Sequence, residues 1–386
     1  MTKLRILTSW VEISEKAYAH NLNFFKSRLS PDTEFSVVVK SNAYGHGFLE
    51  IASLAIKYGA DSFCVHSLDE AICLRKSGYN QEILIMGPVL LDRLPEVLEN
   101  RFRLVLYNLE AIDKLKKLTD KNGRTVKLHL KLETGTYRQG IEEKSLPVFL
   151  KKLNQNPRLQ LDGVYTHFAN IEDTTNHEYA FRQLDLFTRM AKIVKNEGFA
   201  DVKLHAACSA AVLLFPETHF DMVRLGISQY GLWPSRETFV SYKIKHSANG
   251  IDVLQPVLSW KARIGQIKPV PPSQNIGYGG TYQTTRESRL AILPIGYADG
   301  YDRGLSNQSY VLINGQRAPM RGRVCMNLIM VDITDIPEVN LEDEVILLGK
   351  SGNSRISADQ LANLCGTINY EFVTRIGPSI PRIITE

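Results

Sequence analysis

The sequence has little cysteine and no recognisable cysteine pattern. Its five cysteines are odd in number and widely separated, and no two have the C-x-x-C spacing of a zinc or redox motif. They are Cys64, Cys73, Cys208, Cys325 and Cys365. We therefore expect neither a disulfide framework nor a metal site, and a reducing, cytoplasmic compartment is the default interpretation.

Long apolar runs are also absent. No stretch approaches the roughly 20 apolar residues of a membrane helix, and residues 1–10 lack the apolar segment and cleavage site of a secretory signal. The net charge of +5 is small, and the lysines and arginines are scattered rather than arranged in a basic stripe with interleaved aromatics. This argues against a membrane or nucleic-acid partner and is compatible with a small anionic ligand.

The length of 386 residues suggests two domains, which we place at 1–250 and 251–386. In the first, eight short apolar runs are predicted strands: 35–40, 62–66, 83–87, 104–108, 127–132, 161–168, 202–207 and 222–227. Amphipathic helical patterns lie between them at 48–58, 68–76, 109–118, 146–153 and 179–194. Eight such units predict a (β/α)₈ barrel. An open doubly wound sheet is the alternative, but no G-x-G-x-x-G opens a helix.

The C-terminal third has a different periodicity, which predicts a mostly β domain. The predicted strands are 257–270, 290–295, 310–313, 328–333 and 345–348, with a helix at 357–364. Asn314-Gly315 has the composition of a two-residue hairpin turn, because such a turn requires positive φ at both residues.

Lys40 ends the first predicted strand and is followed by the loop sequence SNAYGHG. At such a position burial lowers the pKa of a lysine, which suits a Schiff-base nucleophile or a proton carrier. A lysine that merely extends its amine from a strand end into solvent is the alternative.

Other polar residues also stand at the predicted carboxyl ends of the strands, where barrels place their chemistry. They are His66, the segment 131–138, His167, Ser209 and Arg224. Ser209 and Gly226 occupy the two loops from which barrels commonly build a phosphate site, although Ser209 as a helix cap and Arg224 in a structural ion pair are the alternatives. A phosphate site with a strand-end lysine suggests pyridoxal phosphate. A class I aldolase-like enzyme acting on a sugar phosphate is the second reading.

Several motifs, in order along nearly the whole chain, resemble the alanine racemase family. They are at 10–13, 39–47, 165–169, 223–227, 277–282, 294–301, 322–326 and 367–371. The resemblance implies a homodimeric enzyme that uses pyridoxal 5′-phosphate to interconvert L- and D-alanine, supplying D-alanine for peptidoglycan. Lys40 matches the lysine that forms an imine with the cofactor, and Tyr278 matches a tyrosine from the partner subunit. Racemisation needs a base on each side of the cofactor plane, and these two are the expected pair.

The resemblance also implies the other site residues. His167 is expected between Tyr278 and Arg224 in a hydrogen-bonded relay, with Arg224 facing the ring nitrogen of the cofactor. The expected phosphate contacts are Tyr44, Ser209, Gly226, Ile227 and Tyr370. The expected substrate side comprises Arg138 and Met326 at the carboxylate, Lys131 as a lysine carboxylated by carbon dioxide, and Tyr297 with Tyr370 at the opening.

Five positions depart from the family pattern: Ser41, Tyr137, Cys208, Asp302 and Asn327. Because Tyr137 and Asn327 would alter the substrate side, a broader amino-acid racemase, for example one acting on serine, is an alternative. A decarboxylase of the same cofactor class is another, against which Tyr278 argues. A cofactor-binding regulatory protein would lack a base, whereas Lys40 and Tyr278 are both present.

Overall fold

The chain forms two compact units. The computed structural model describes residues 7–246 and 252–386. Among these residues, the barrel unit contains 18–40, 52–246 and 252–255, and the β unit contains 7–17, 41–51 and 256–386. The expected domain boundary at residue 250 lies outside the described residues.

The elements are numbered in chain order. The strands are β1 (Ser9–Ser14), β2 (Glu34–Val38), β3 (Ser62–Val65), β4 (Glu82–Ile85), β5 (Arg103–Leu106), β6 (Val126–Lys131), β7 (Leu159–Tyr165), β8 (Lys203–His205), β9 (Met222–Leu225), β10 (Leu258–Arg263), β11 (Gln266–Val270), β12 (Asn275–Ile276), β13 (Tyr282–Gln283), β14 (Ser288–Leu293), β15 (Tyr310–Ile313), β16 (Gln316–Pro319), β17 (Ile329–Asp332), β18 (Glu344–Ser351), β19 (Ser354–Ile356) and β20 (Arg382–Thr385). The helices are α1 (Glu15–Lys26), α2 (Lys40–Tyr44), α3 (Phe48–Lys57), α4 (Leu68–Lys76), α5 (Leu94–Glu99), α6 (Leu109–Asn122), α7 (Leu146–Asn154), α8 (Glu178–Asn196), α9 (Ser209–Leu214), α10 (Arg236–His246), α11 (Ala358–Leu364) and α12 (Asn369–Thr374).

Eight parallel strands form the barrel, in the order β8-β7-β6-β5-β4-β3-β2-β9. Backbone hydrogen bonds of 3.0 Å, from Asp221 N to Leu204 O and from Arg224 N to Ala207 O, join the two ends of this order. Several strands are buried along their whole length, which explains their continuous apolar sequence. Each of the eight predicted runs overlaps one of these strands, so the predicted (β/α)₈ barrel is confirmed.

The predicted helices correspond to α3, α4, α6, α7 and α8. At α4 the start is specified locally: Ser67 accepts a hydrogen bond from Glu70 N, and the Glu70 carboxylate accepts one from Ser67 N. The six-residue helix α5 was not predicted, because its length is too short to establish a helical period. No helix in the described part of the chain is both long and apolar enough to cross a membrane.

The β unit is built on a sheet of order β16-β15-β18-β10-β1-β20, with β19 paired to β18. The N-terminal strand β1 lies in this sheet, antiparallel to β10 and parallel to β20. Its core includes Trp260 and Tyr301, whose ring centroids are 5.9 Å apart. The predicted single strand 257–270 is wrong, because the chain leaves the sheet after Arg263 and β11 pairs instead with β14.

The predicted hairpin is present between β15 and β16. Asn314 and Gly315 have φ of 49° and 79°, the two positive values that the turn requires. The predicted mostly β character of the C-terminal third is therefore confirmed.

Candidate active site

The carboxyl end of the barrel gathers cationic side chains. Lys40 follows β2 and is half-buried, and burial together with the charge of Arg138 lowers its pKa. Lys131, at the end of β6, is buried; burial and the charges of Arg138 and Arg224 lower its pKa to about 8. His167 lies in the same electrostatic environment, where burial and Arg224 hold its pKa below the usual range. A site of this character favours an anionic ligand.

Arg224 is buried on β9, and its partners are neutral. Its Nη1 donates to Nδ1 of His205 at 2.6 Å, and its Nη2 donates to the carbonyls of Thr166 at 2.9 Å and Ala206 at 3.1 Å. Within residues 7–246 and 252–386, no carboxylate forms an ion pair with Arg224 and no hydrogen bond joins it to the His167 ring. The ion-pair reading of Arg224 is therefore wrong. The relay through His167 stays a prediction.

Ser209 connects two loops at the end of the barrel. Its Oγ accepts hydrogen bonds from Gly226 N at 3.0 Å and from Ser228 N at 3.3 Å. It does not cap α9: the residue at the cap is Cys208, whose side chain forms no capping bond. The neighbouring Ser228 Oγ is buried and has no hydrogen-bond partner among the described residues. The loops thus bring together two buried hydroxyls, Ser209 and Ser228. Because Ser209 Oγ accepts from both backbone N–H groups, its own proton is left to donate, and two such hydroxyl donors suit an oxyanion.

Gln229 fixes the backbone at Val38, two residues before Lys40. Its Nε2 donates to Val38 O at 3.1 Å and to Leu225 O at 2.9 Å, and the Tyr230 hydroxyl donates to Val38 O at 2.9 Å. The Tyr18 hydroxyl donates to Gln229 Oε1 at 2.8 Å, which fixes the amide in turn. The residues that follow β9 therefore hold the end of β2 in place, and the backbone next to Lys40 is fixed.

The loop after β6 presents Arg138. The Glu133 carboxylate accepts hydrogen bonds from the backbone of Gly135 and Thr136, and the Thr136 hydroxyl donates to the carbonyl of His167 at 2.6 Å. Arg138 itself is exposed, as is the neighbouring Tyr137, whose φ is 50°. The last predicted strand-end residue, His66, is also exposed.

In the β unit, Ser41, Asn42, Ala43 and Tyr44 form a left-handed turn, with φ between 51° and 55°. L-residues pay roughly 1–2 kcal/mol each for this conformation. Local bonds hold the turn, including one from Phe48 N to Asn42 Oδ1 at 2.8 Å. Gly45 continues it at φ 84°, and a Cβ there would lie 1.9 Å from Val373 O, so only glycine fits. Strain of this kind concentrates at functional sites.

The predicted residues of the β unit fall in two groups. Tyr44 and Tyr370 lie together, with ring centroids 6.1 Å apart. Tyr278, Tyr297 and Met326 line one cavity of about 430 Å³, whose other lining residues are Arg303, Arg323, Val324, Cys325, Asn327 and Leu328. Tyr278 is 73% exposed in the single chain. Predicted site residues thus cluster within each unit.

Two departures from the family pattern have local explanations. Burial raises the pKa of the Cys208 thiol to about 11, so this side chain is a neutral neighbour of Ser209. Asp302 accepts a hydrogen bond from Gly304 N at 2.7 Å and pairs with Arg375 at 2.6 Å.

Sequence reasoning missed three residues of the site: Tyr165, His205 and Gln229. Tyr165 stacks on the His205 ring with centroids 4.8 Å apart, and the Arg224 guanidinium lies 4.8 Å from the Tyr165 ring centre. The sequence contained one sign of His205. It is a polar residue within a predicted buried strand, so its ring requires a hydrogen-bond partner.

These features define a class of barrel enzymes that carry an anionic cofactor. They are a (β/α)₈ barrel, a strand-end lysine, a buried arginine, two buried serine hydroxyls at the same end of the barrel, and a β unit in the same chain. Residues 13–234 match the family model "Alanine racemase, N-terminal domain", and residues 257–384 match "Alanine racemase, C-terminal domain". The chain belongs to the alanine racemase family.

Individual relatives agree with this assignment. The alanine racemase of Leptospira interrogans is 40% identical over 98% of this chain and 96% of its own length. The crystal structure of the Bacillus anthracis alanine racemase with bound L-Ala-P has a TM-score of 0.90 at 38% identity, covering 98% of this chain and 95% of that one. The Bartonella henselae alanine racemase, with covalently bound pyridoxal phosphate, has a TM-score of 0.83 at 27% identity, covering 98% of this chain and 100% of that one.

Proposed function

We propose that this protein interconverts L-alanine and D-alanine with bound pyridoxal 5′-phosphate, and that Lys40 and Tyr278 are its two bases. The observation that carries the proposal is the convergence of Lys40, Arg224 and the Ser209–Gly226 pair at one end of the barrel, in a chain of the alanine racemase family. Supply of D-alanine for peptidoglycan is the proposed role of the reaction.

The residues present fit the cofactor. The buried Ser228 Oγ lacks a partner among the described residues, and it lies in the loop whose N–H groups donate to Ser209 Oγ, so a phosphate oxygen would supply the acceptor that the Ser228 hydroxyl lacks. Ser209, Gly226 and Ile227 would hold that phosphate. Tyr44 and Tyr370 keep the proposed phosphate role that the family motifs give them. Lys40 would bind the cofactor covalently, and His167 and Arg224 would lie at its ring.

When bound, pyridoxal phosphate withdraws electrons from the α-carbon of an attached amino acid and so acidifies its α-hydrogen. Lys40 is suited to exchange that proton, because its lowered pKa increases the neutral fraction of its amine near neutral pH. Arg224 stays protonated and can only donate, so it would leave the ring nitrogen without a proton. This limits electron withdrawal and favours return of the proton to the α-carbon.

The second base requires a homodimer in this proposal. Tyr278 is 73% exposed in the single chain, and Tyr297, Met326 and Leu328 in the same cavity are also exposed. A cluster of exposed large apolar side chains is typical of a protein interface. We propose that this cavity faces the partner subunit, bringing Tyr278, Met326 and Tyr297 to the partner's Lys40, with Arg138 on the substrate side.

Lys131 is proposed to be carboxylated. It is a buried amine whose Nζ donates to Gln139 Oε1 at 3.3 Å, and its pKa of about 8 leaves part of it neutral and nucleophilic. Addition of the amine to carbon dioxide, with loss of one proton, would form an anionic carbamate near Arg138 and Arg224. The anion would orient Arg138 toward the carboxylate of the substrate.

A reducing, cytoplasmic location stays part of the proposal, on the odd number and wide spacing of the five cysteines.

The proposal as a whole is tested by the visible absorbance of the purified protein and by D-alanine formation from L-alanine, with L-serine in parallel. A visible band with preferential alanine turnover is expected. If the band is present but serine is turned over in preference to alanine, the cofactor assignment stands and the protein is instead the broader amino-acid racemase. Asn327 in the cavity is the observation that motivates this alternative. Absence of both band and turnover after cofactor addition would refute the proposal.

A further inference from the structure

A chain of buried polar side chains leads from Arg224 into the interior of the barrel. The bond from Arg224 Nη1 to His205 Nδ1 is its first link. His205 Nε2 then lies 2.8 Å from His129 Nδ1, and His129 Nε2 lies 3.2 Å from Asp162 Oδ2. Both imidazoles are fully buried. His205, His129 and Asp162 have no role in the proposed proton transfers.

The chemistry of its two ends fixes the direction of every hydrogen bond in this chain. An arginine can only donate, so His205 Nδ1 must accept and its proton must be on Nε2. That Nε2–H donates to His129 Nδ1, which places the His129 proton on Nε2, facing the carboxylate of Asp162. A second proton on either ring would bring two N–H groups face to face, so both histidines are neutral and each has one tautomer.

The backbone of β7 is adapted to this arrangement. The pairing of β6 with β7 passes from Leu128↔Leu161 to His129↔Gly163, so Asp162 is the extra residue of a β-bulge. Bulges redirect side chains and are frequent next to active sites. At Gly163 a Cβ would lie 2.3 Å from His129 Nδ1, so the glycine makes the space that the His129 ring occupies.

The far end of the chain is held by charge. Arg103 Nε lies 3.1 Å from Asp162 Oδ2, and Arg103 Nη1 donates to Glu34 Oε1 at 2.6 Å. Asp162 is therefore fixed as a carboxylate. Its negative charge polarises the His129 and His205 rings and so strengthens the hydrogen bond that His205 accepts from Arg224. This arrangement compensates a buried guanidinium that has no carboxylate partner of its own among the described residues.

We propose that Asp162 and His129 are positioning residues which, through His205, hold Arg224 in one orientation at the end of the barrel. The inference rests on the proposed function, because the orientation matters for a cofactor ring that Arg224 would face. A fixed orientation matters because a guanidinium that could rotate would donate to the ring nitrogen of the cofactor in several geometries rather than one.

The decisive measurement is the protonation pattern of the histidine rings. Long-range ¹H–¹⁵N correlation at pH 8, on deuterated protein with ¹⁵N-labelled histidine, reports which ring nitrogen carries the proton. His129→Gln and His205→Gln assign the two signals among the nine histidines. Both rings are expected to be protonated on Nε2 alone. A proton on Nδ1 of His205 in the unaltered protein overturns the inference.

Two variants then test the chain without touching Arg224 or His205. Asp162→Asn removes the terminal charge, and Gly163→Ala displaces the His129 ring. Each is expected to let Arg224 rotate away from His205 Nδ1, so that His205 loses the donor that keeps its proton on Nε2 and becomes a mixture of tautomers. Gly265→Ala is the matched control, since a Cβ there would meet only Ile292 O at 3.6 Å, an ordinary contact. A purely structural role would lower stability without changing the tautomer, so an unaltered His205 signal in either folded variant overturns the inference.

Kinetics separate this inference from the proposed function. With cofactor bound, both variants are expected to lose on the order of 10²-fold in kcat at nearly constant KM. Unaltered kcat in both variants counts against the inference. Absence of racemisation in the unaltered protein would refute the proposed function, while the ring signals would still decide whether the chain fixes His205.

Discussion

The hydroxyl of Ser209 accepts a hydrogen bond from the backbone N–H of Gly226 at 3.0 Å, which ties the loop after β8 to the loop after β9. Because the Ser209 hydroxyl accepts from the N–H groups of both Gly226 and Ser228, its own proton is left to donate, and the two loops are arranged before any anion arrives. Such preorganisation reduces the ordering cost of binding.

Ser209→Ala is therefore expected to weaken binding of pyridoxal phosphate. The variant loses a hydroxyl whose proton would be donated to the phosphate, and one hydrogen bond to a charged group corresponds to a roughly 10–100-fold change in the dissociation constant. Titration of apo-protein with cofactor, followed by absorbance, measures the change. Ser145→Ala is the control, because Ser145 makes no capping bond at α7. An unchanged dissociation constant in folded S209A would contradict the assignment.

Lys40→Ala should abolish both the visible absorbance of the bound cofactor and racemisation. No other lysine occupies the end of β2, where Gln229 and Tyr230 fix the backbone at Val38. The measurements are the absorbance spectrum and the mass of the protein after borohydride reduction, which adds the cofactor mass to the attached lysine. Lys16→Ala, at an exposed position of α1, should behave as the unaltered protein. Racemisation retained in K40A would refute the role of Lys40.

The barrel was predictable because its determinants are local. Continuous apolar runs such as 62–66 and helical patterns such as 68–76 can be recognised from consecutive residues alone. The helix α4 accordingly occupies the predicted range 68–76. The turn at Asn314-Gly315 was predictable for the same reason, since its positive φ values are a property of the residue types.

The interior of the site was less predictable because its partners are distant in sequence. His205 contacts Arg224 and His129 only after β6, β8 and β9 have come together. Sequence alone offers no sign that Arg224 pairs with an imidazole rather than a carboxylate. The division of 257–270 into two strands likewise depends on pairing with β14 and β18, which no local pattern contains.

Glu34→Gln is expected to destabilise the barrel near neutral pH. Burial alone would raise the pKa of Glu34, but Arg103, Lys203 and Ser62 outweigh it and hold the pKa at about 2, below the ordinary 4.5. Because the folded-state pKa is depressed, the stabilisation is fully present above pH 4.5 and is lost as the pH falls toward 2. The shift corresponds to about 3 kcal/mol.

Urea unfolding of the unaltered protein and E34Q between about pH 7 and pH 3 tests this relationship. The difference in free energy of unfolding should be largest near neutrality and should shrink below pH 4.5. Glu143→Gln is the control, since Glu143 forms an exposed pair with Arg189. A difference that does not change with pH would show that the Glu34 carboxylate is not the source of the stabilisation.

Tyr278→Phe should leave the cofactor bound and slow the removal of the proton from one face of the substrate. Loss of a general base typically lowers the rate by roughly 10²–10⁴-fold. Because overall equilibrium between the enantiomers cannot change, the diagnostic measurement is solvent-deuterium exchange at the α-carbon, followed separately from L- and D-alanine. Exchange should persist for the enantiomer that Lys40 deprotonates and fall for the other. Equal exchange of both at the normal rate would refute the role of Tyr278.

The proposed sharing of the site between subunits predicts complementation between two inactive variants. If Tyr278 serves the partner's Lys40, a mixed dimer of K40A and Y278F contains one site with both bases and one site with neither. Random reassociation of equal amounts makes half of the dimers mixed, so about a quarter of the sites should be intact. Activity after co-refolding of tagged subunits, purified through both tags, measures the mixed dimer directly. If both bases came from the same chain, the mixed dimer would be as inactive as its parents, which would contradict the shared site while leaving the barrel residues in their roles.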